Sequence, residues 1–230
     1  MSQISKKAKI GDNVIIGNYC IIEDYVEIAE NVIISDFVVI RKGTVIEKGT
    51  EINNNVTIEK NSLVRENVVL DSYAILKEDV SIGTYSKCGS FSIIHRDSSI
   101  GDYNFIGPYC ELGENTITYE NVIIQGRNRF GDRCILKEKV TVKYGTILTE
   151  KVLLKEKAFL GPNVITLGST HERVNVHGTI IGTNSYIGAG SKIAGGVEIG
   201  NNIVVGALSF VNKDILMIGV YVGTPAKKIK

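Results

Sequence analysis

The chain has 230 residues, which suits one globular unit or one repeat array, and no shift in composition divides it. Twenty-six basic residues stand against 25 acidic ones, so net charge calls for neither nucleic acid nor an anionic membrane as a partner. With 24 glycines, three prolines, no tryptophan and abundant isoleucine and valine, the balance favours short strands over helices.

The opening stretch, MSQISKKAKIGDNV, carries lysines but lacks the apolar run of a secretory leader. No apolar run elsewhere approaches the roughly 18–20 residues needed to span a membrane. None of the four cysteines lies in a CxxC pair, and four do not make a disulfide scaffold in a chain of this size. A cytoplasmic protein is therefore expected.

From Ile4, steps of six residues meet Ile10, Ile16, Ile22, Ile28 and so on to Leu160. Only Cys88 and Thr118 depart from the rule of an aliphatic residue or phenylalanine. A second register, four residues behind, holds small or β-branched residues: Ala8, Val14, Cys20, Val26 and onward to Val164, with Asn104 and Asn128 as exceptions. Glycine often follows the large residue, as at Gly11, Gly17, Gly83, Gly101, Gly107, Gly113 and Gly131. A helix repeats near 3.6 and a plain strand near 2. Period six means a short strand and a corner, over and over, so three strands close a triangular coil of 18 residues. The spacing predicts one all-β domain over 1–230, a parallel β-helix of about eleven coils, roughly 4.8 Å apart and on the order of 50 Å long. Each coil buries its inward ladder only against its neighbours.

The ladder stops at Leu160 and resumes at Ile181, Ile187, Ile193, Ile199, Val205 and Val211. The gap of 21 residues is out of phase with six, so a loop leaves the coil near 168–178. It holds His171 and His177, and an irregular loop on a rigid solenoid is the expected place for chemistry.

Ser169-Thr170-His171, then IIGTNSYIGAGSKIAGGVEIGNNIVVGALSFVNKD and VGTPAKKIK, resembles the end of the galactoside and maltose acetyltransferases. FLGPNV, just before the loop, is similar to acetyltransferases acting on nucleotide-linked amino sugars. Both groups belong to the hexapeptide-repeat acyltransferase superfamily. The resemblance implies a left-handed helix, a homotrimer, and acetyl-CoA as co-substrate bound in a groove between subunits. It also implies direct acetyl transfer to a sugar or nucleotide-sugar, with the choice between nitrogen and oxygen open and no metal required. By motif match His171 is the general base, with His177 as substitute. Backbone groups at Ala189 and Ala207 would line the pantetheine channel. Asn212 and Lys213 match the turn before the final segment, while Lys227 and Lys230 would meet the CoA phosphates. The loop after His171 is shorter than in the galactoside type.

The remaining features read more plainly. Cys20, Cys110 and Cys134 fall in the small inward slot and Cys88 in the large one, which argues against a thiol nucleophile. His95 points outward four coils below Leu167, as a bystander or a substrate-groove residue. Arg133 with Lys151, Lys137 with Lys155 and Lys139 with Lys157 are each 18 apart and stack, either as a solvated face or as an attractor of anionic substrate. Two rival readings stay open: a γ-type carbonic anhydrase, which needs three imidazoles around one zinc, and a non-catalytic solenoid scaffold.

Overall fold

The computed structural model describes residues 1–169 and 177–230. Strands of two residues alternate with tight corners, and the chain winds through three sheets in turn. The first sheet runs from Gln3–Ile4 to Phe210–Val211, the second from Lys9–Ile10 to Glu198–Ile199, and the third from Ile15–Ile16 to Lys227–Lys228. They hold 12, 11 and 13 strands. Away from the break and the C-terminal end, each strand pairs in parallel with the strand 18 positions on, as Ile21 does with Val39 and Ile58 with Leu76. The result is a three-sided parallel β-helix, as the period of six demands.

Both registers point inward. The large slot is filled by residues such as Ile40, Ile58, Leu76 and Ile94, and the small slot by Val38, Val56, Ala74 and Ser92, all buried. At most polar small slots the side chain closes a bond to the next rung, as Ser92 Oγ does by donating to the Gly107 carbonyl at 2.9 Å. Asn104 donates to the carbonyls of Gly101 and Tyr119 and accepts from the Val122 N–H at 2.6 Å. Buried polar groups are tolerated when paired in this way.

The corners follow a rule that the inward pattern hides. Every sixth residue from Asn13 to Asn163 has a positive φ, between 55° and 73°, and Asn184, Gly190, Gly196, Asn202 and Leu208 continue the series. Such a turn position suits Asn or Gly, yet this chain also places Tyr, Phe, Lys and Arg there. A residue with a Cβ gives up about 1–2 kcal/mol in this region. Stacking offsets part of that: Tyr73 lies 4.7 Å from Phe91 and Phe91 5.1 Å from Tyr109, ring centroid to centroid. Offset aromatic pairs add roughly 0.5–1.5 kcal/mol beyond their burial.

The break in the coil sits slightly later than the aliphatic ladder suggests. Ile165–Thr166 still occupies the first sheet, with Thr166 buried in the large slot. Its hydroxyl accepts the Thr149 N–H at 2.8 Å, so a threonine interrupted the aliphatic pattern without interrupting the coil. The chain leaves after Leu167 and returns at Ile180–Ile181, which pairs with Leu153 and Leu154. Ile181 thus lies 27 positions after its partner instead of 18. Past Val211 the period ends: Ile215 bridges to Ile199, Gly219–Val222 extends the third sheet, and Lys227–Lys228 folds back antiparallel to close that end. No helix among the described residues is long and apolar enough to cross a membrane.

Candidate functional site

Three edges separate the sheets, and the candidate residues are placed by edge. The departing segment leaves from the first edge, between the first and second sheets, at Leu167 and Gly168. A hydroxyl pair, Thr149 with Thr166 at 3.0 Å, lies beneath it. It returns at Gly178, where any side chain would collide with the Lys151 backbone carbonyl, so glycine is required at the re-entry point. His171 lies outside the described residues, and its proposed role as base is not located by the structure. His177 is exposed at the re-entry point and does not pack into the coil.

Ala189 and Ala207 stand on the third edge, one rung apart, and the Leu208 N–H donates to the Ala189 carbonyl at 2.8 Å. Gly161, Gly188 and Gly206 precede the corners of three successive rungs there. A Cβ on Gly188 would strike the Ala207 backbone, and one on Gly161 would strike Ala189. Close rung stacking excludes side chains at these three positions and leaves a narrow strip of backbone beside the exposed Leu208.

The remaining four residues divide. Asn212 is on the first edge, two rungs above Leu167 by way of Ala194, because Leu167 N–H bonds Ile193 and Ala194 N–H bonds Val211. Asn212, Lys213 and Lys227 share a small cavity of about 220 Å³ over Ile215 and Tyr221. Lys230 does not join them: its carbonyl accepts the Val220 N–H at 2.9 Å on another part of the closing hairpin. Arithmetic by 18 placed Ala189 against Ala207 correctly. It had no purchase beyond Val211, where the chain is no longer periodic.

All four cysteines are buried. Burial away from water pushes the Cys88 and Cys134 thiols up to about 12 and Cys110 up to about 11. Each stays a neutral thiol at physiological pH, the opposite of an activated nucleophile. The stacked cations are mostly spent on neighbours. Arg133 pairs with Glu150 at 2.8 Å, Lys157 with Glu156 at 3.0 Å, and Lys137 lies 3.6 Å above the Tyr119 ring. These columns are a solvated face and not a funnel for anions. His95 lies four rungs below Leu167 on the first edge, roughly 19 Å away.

Residues 34–158, more than half of the chain, match the family described as GMPPB C-terminal domain. Residues 7–42 and 178–213 match the family described as bacterial transferase hexapeptide (six repeats). A curated relative, the serine acetyltransferase of Buchnera aphidicola subsp. Schizaphis graminum, is 47% identical over 68 residues, or 29% of this chain. The match spans only 26% of that relative's length. The UDP-N-acetylglucosamine acyltransferase of Francisella novicida superposes with a TM-score of 0.57 at 20% identity, covering 90% of this chain and 67% of its own. That is a likeness of fold. The acetyltransferase domain of PglB from Neisseria gonorrhoeae, solved with acetyl coenzyme A, gives a TM-score of 0.41 at 21% identity, over 60% of this chain and 57% of its own.

Proposed function

The chain belongs to the GMPPB C-terminal domain family and, through its hexapeptide repeats, to the superfamily of left-handed parallel β-helices; from that premise we propose that it is an acetyl-CoA-dependent acyltransferase. The acceptor in this reading is a sugar or nucleotide-sugar, the protein works as a homotrimer, and it acts in the cytoplasm. The observation that carries the reading is the departure from the coil after Leu167, set beside a C-terminal part with closely stacked glycines at Gly161, Gly188 and Gly206. The serine acetyltransferase match supports acetyl transfer as the chemistry.

In this mechanism His171 takes the proton from an acceptor hydroxyl, or from an amine whose ammonium proton has already gone to solvent, as its O or N attacks the thioester carbon. A tetrahedral oxyanion forms, then collapses with cleavage of the C–S bond. The imidazolium returns its proton to the departing thiolate, so acyl group and proton both balance. Histidine suits the task because its ordinary pKa lies near neutrality. The backbone strip at Gly188–Ala189 and Gly206–Ala207 would hold the pantetheine arm, and the cavity at Lys213 and Lys227 would take the phosphates as point charges.

Leu167, the root of the departing segment, and the Ala189–Ala207 strip stand on different edges, with a face of the first sheet between them. A neighbouring copy turning its third edge toward the first edge of its partner would bring them together, which supports the trimer.

Turnover of acetyl-CoA against a panel of sugars, amino sugars and nucleotide sugars tests the proposal, with His171→Ala as control. Full activity in that variant would remove His171 from the mechanism. A scaffold is the second reading, favoured by one observation: the rungs matched over 34–158 run without a break. Acetyl-CoA at 100 times its Kd should stabilise the folded protein by about 2.7 kcal/mol. No change in melting temperature would favour the scaffold.

A further inference from the structure

The first edge changes character partway up. Lower rungs each give it a long charged side chain: Glu23, Arg41, Glu59 and Lys77, with Arg41 2.6 Å from Glu23 and 4.0 Å from Glu59. His95 follows, and the next two rungs give Gly113 and Gly131. The column of side chains stops there and leaves a cavity of about 450 Å³. It reaches to the level of Leu148, one rung below the root of the departing segment. The glycines alone say nothing of a ligand, because a Cβ on Gly113 would stand 2.6 Å from the Gly131 carbonyl carbon and stacking excludes it.

The polar group at the lower end says more. His95 Nε2 lies 3.2 Å from Glu111 Oε1, and Glu111 Oε2 lies 3.2 Å from Arg129 Nε. Glu111 and Arg129 hold outward positions of the first sheet between Ile75 and Ile93 below and Ile147 and Ile165 above. An isoleucine at either place would continue that row. Exposed ion pairs add little to stability, so folding alone does not call for this interruption. In the neutral tautomer that donates Nε2–H to the carboxylate, Nδ1 is an acceptor.

The charges around the cavity select the ligand. Glu111, Glu114 and Asp132 line it with the Arg129 guanidinium, and Arg96 holds Glu114 from outside the lining, Nε to Oε1 at 3.0 Å. Three carboxylates against two guanidiniums still leave a net negative charge, which disfavours a phosphate. Carboxylate and imidazole acceptors beside guanidinium donors, with Ile147 as an apolar wall, suit hydroxyls that both donate and accept, on a ring with C–H faces.

We propose that the His95–Glu111–Arg129 cavity binds a phosphate-free, hydroxyl-rich stretch of a saccharide and aligns it along the first edge toward the departing segment. Calling that saccharide the acceptor rests on the acyltransferase reading; the binding itself does not. Such a subsite holds a part of the substrate remote from the reacting atom, where its binding energy can be used in transfer.

The test uses the full chain and follows the His95 imidazole signals by NMR, assigned with His95→Gln. Cellobiose, maltose, lactose and N,N′-diacetylchitobiose are titrated as neutral probes, and glucose 1-phosphate as the charged counter-probe. At least one neutral disaccharide should shift the His95 signals saturably and bind tenfold or more tighter than glucose 1-phosphate. Glu111→Gln, a surface change that leaves the coil intact, should weaken that disaccharide by threefold or more. The proposal falls if no neutral disaccharide moves the signals, if glucose 1-phosphate binds as well, or if Glu111→Gln binds within threefold of the parent. Acetyl-CoA melts of the same samples separate the two readings. Disaccharide binding without stabilisation by acetyl-CoA would keep the saccharide site and discard the acyltransferase.

Discussion

The rungs up to Thr166 and the part from Gly178 onward share one hexapeptide plan, yet their edges differ. In the lower stack the third edge carries Tyr19 against Phe37 at 5.2 Å and then the run Tyr73, Phe91 and Tyr109, closed by Arg127 over the last ring at 5.9 Å. Higher on the same edge, already below the break, the positions become Gly145 and Asn163, then Gly190 and an exposed Leu208, so the aromatic run does not resume. The first edge likewise passes from the Glu23–Arg41–Glu59 ladder to Gly113, Gly131 and, after the break, Ala194. Side chains that stack on edges strengthen a solenoid without offering a place to bind. Edges without them expose backbone N–H and C=O groups that a thin ligand can approach. The stack supplies rigidity, and the bare upper edges supply access.

The sharpest way to break this division of labour is His171→Ala. A correctly placed general base contributes about 10²–10⁴-fold, so kcat should fall by that range while KM for acetyl-CoA stays within about twofold. His177→Gln on the same segment should cost less than about tenfold. A reversal of the two effects, read by steady-state kinetics at saturating acetyl-CoA, would move the base to the re-entry point.

Next in size is a change in the stack itself. Ile58 is fully buried between rungs, and Ile58→Ala should destabilise by about 2–5 kcal/mol in urea melts. Ile10 occupies the same slot but is 40% exposed, with no rung beneath it. Ile10→Ala should cost less than about 1.5 kcal/mol. Acetyl-CoA affinity of the folded fraction should be unchanged in both. A change in affinity from either would mean that the lower stack takes part in binding.

The architecture was open to sequence reasoning because inward packing is repeated so many times that its period survives single departures such as Cys88, Thr118 and Thr166. Contacts along an edge were legible only where they fall 18 apart, as with Ala189 and Ala207. His95 and Glu111 are 16 apart and meet on the diagonal between an edge and a face, so stepping by coils passed over the pair. The turn residues hid in another way. Positive φ at every sixth position is filled by Asn, Tyr, Lys or Arg, and no single residue type marks it. The family resemblance assigns both Lys227 and Lys230 to the CoA phosphates, whereas only Lys227 lines the cavity with Lys213, and the Lys230 backbone pairs with Val220.

A smaller effect is expected on the bare third edge. Ala207 is exposed, so Ala207→Leu should shift stability by less than about 0.5 kcal/mol. The added side chain would stand over the backbone strip beside Ala189 and weaken acetyl-CoA by roughly tenfold, about 1.4 kcal/mol. Isothermal titration checks it. Equal affinity would place the pantetheine arm elsewhere, and the contrast between clothed and bare edges would lose its functional meaning.

The smallest effect tests the clothed edge. Glu23 accepts from Arg41 Nη1 at 2.6 Å and from the Lys42 N–H at 3.0 Å. The bond from Arg41, more than any other influence, holds its carboxyl below the ordinary carboxylate range. A lowered value in the folded state means that the ionised form is the one the fold favours. The contribution is therefore present above the unfolded pKa of about 4.3 and is lost as the pH falls through the folded value. Because both partners are solvent-accessible, it amounts to about 0.2–1 kcal/mol, less at high salt. Glu23→Gln should lower the urea midpoint slightly at pH 7, and the gap to the parent should narrow steadily as the pH is lowered below the unfolded value. If the gap shows no pH dependence on the acid side, Glu23 acts through packing and hydrogen-bond shape, and the ladder on this edge owes its order to something other than charge.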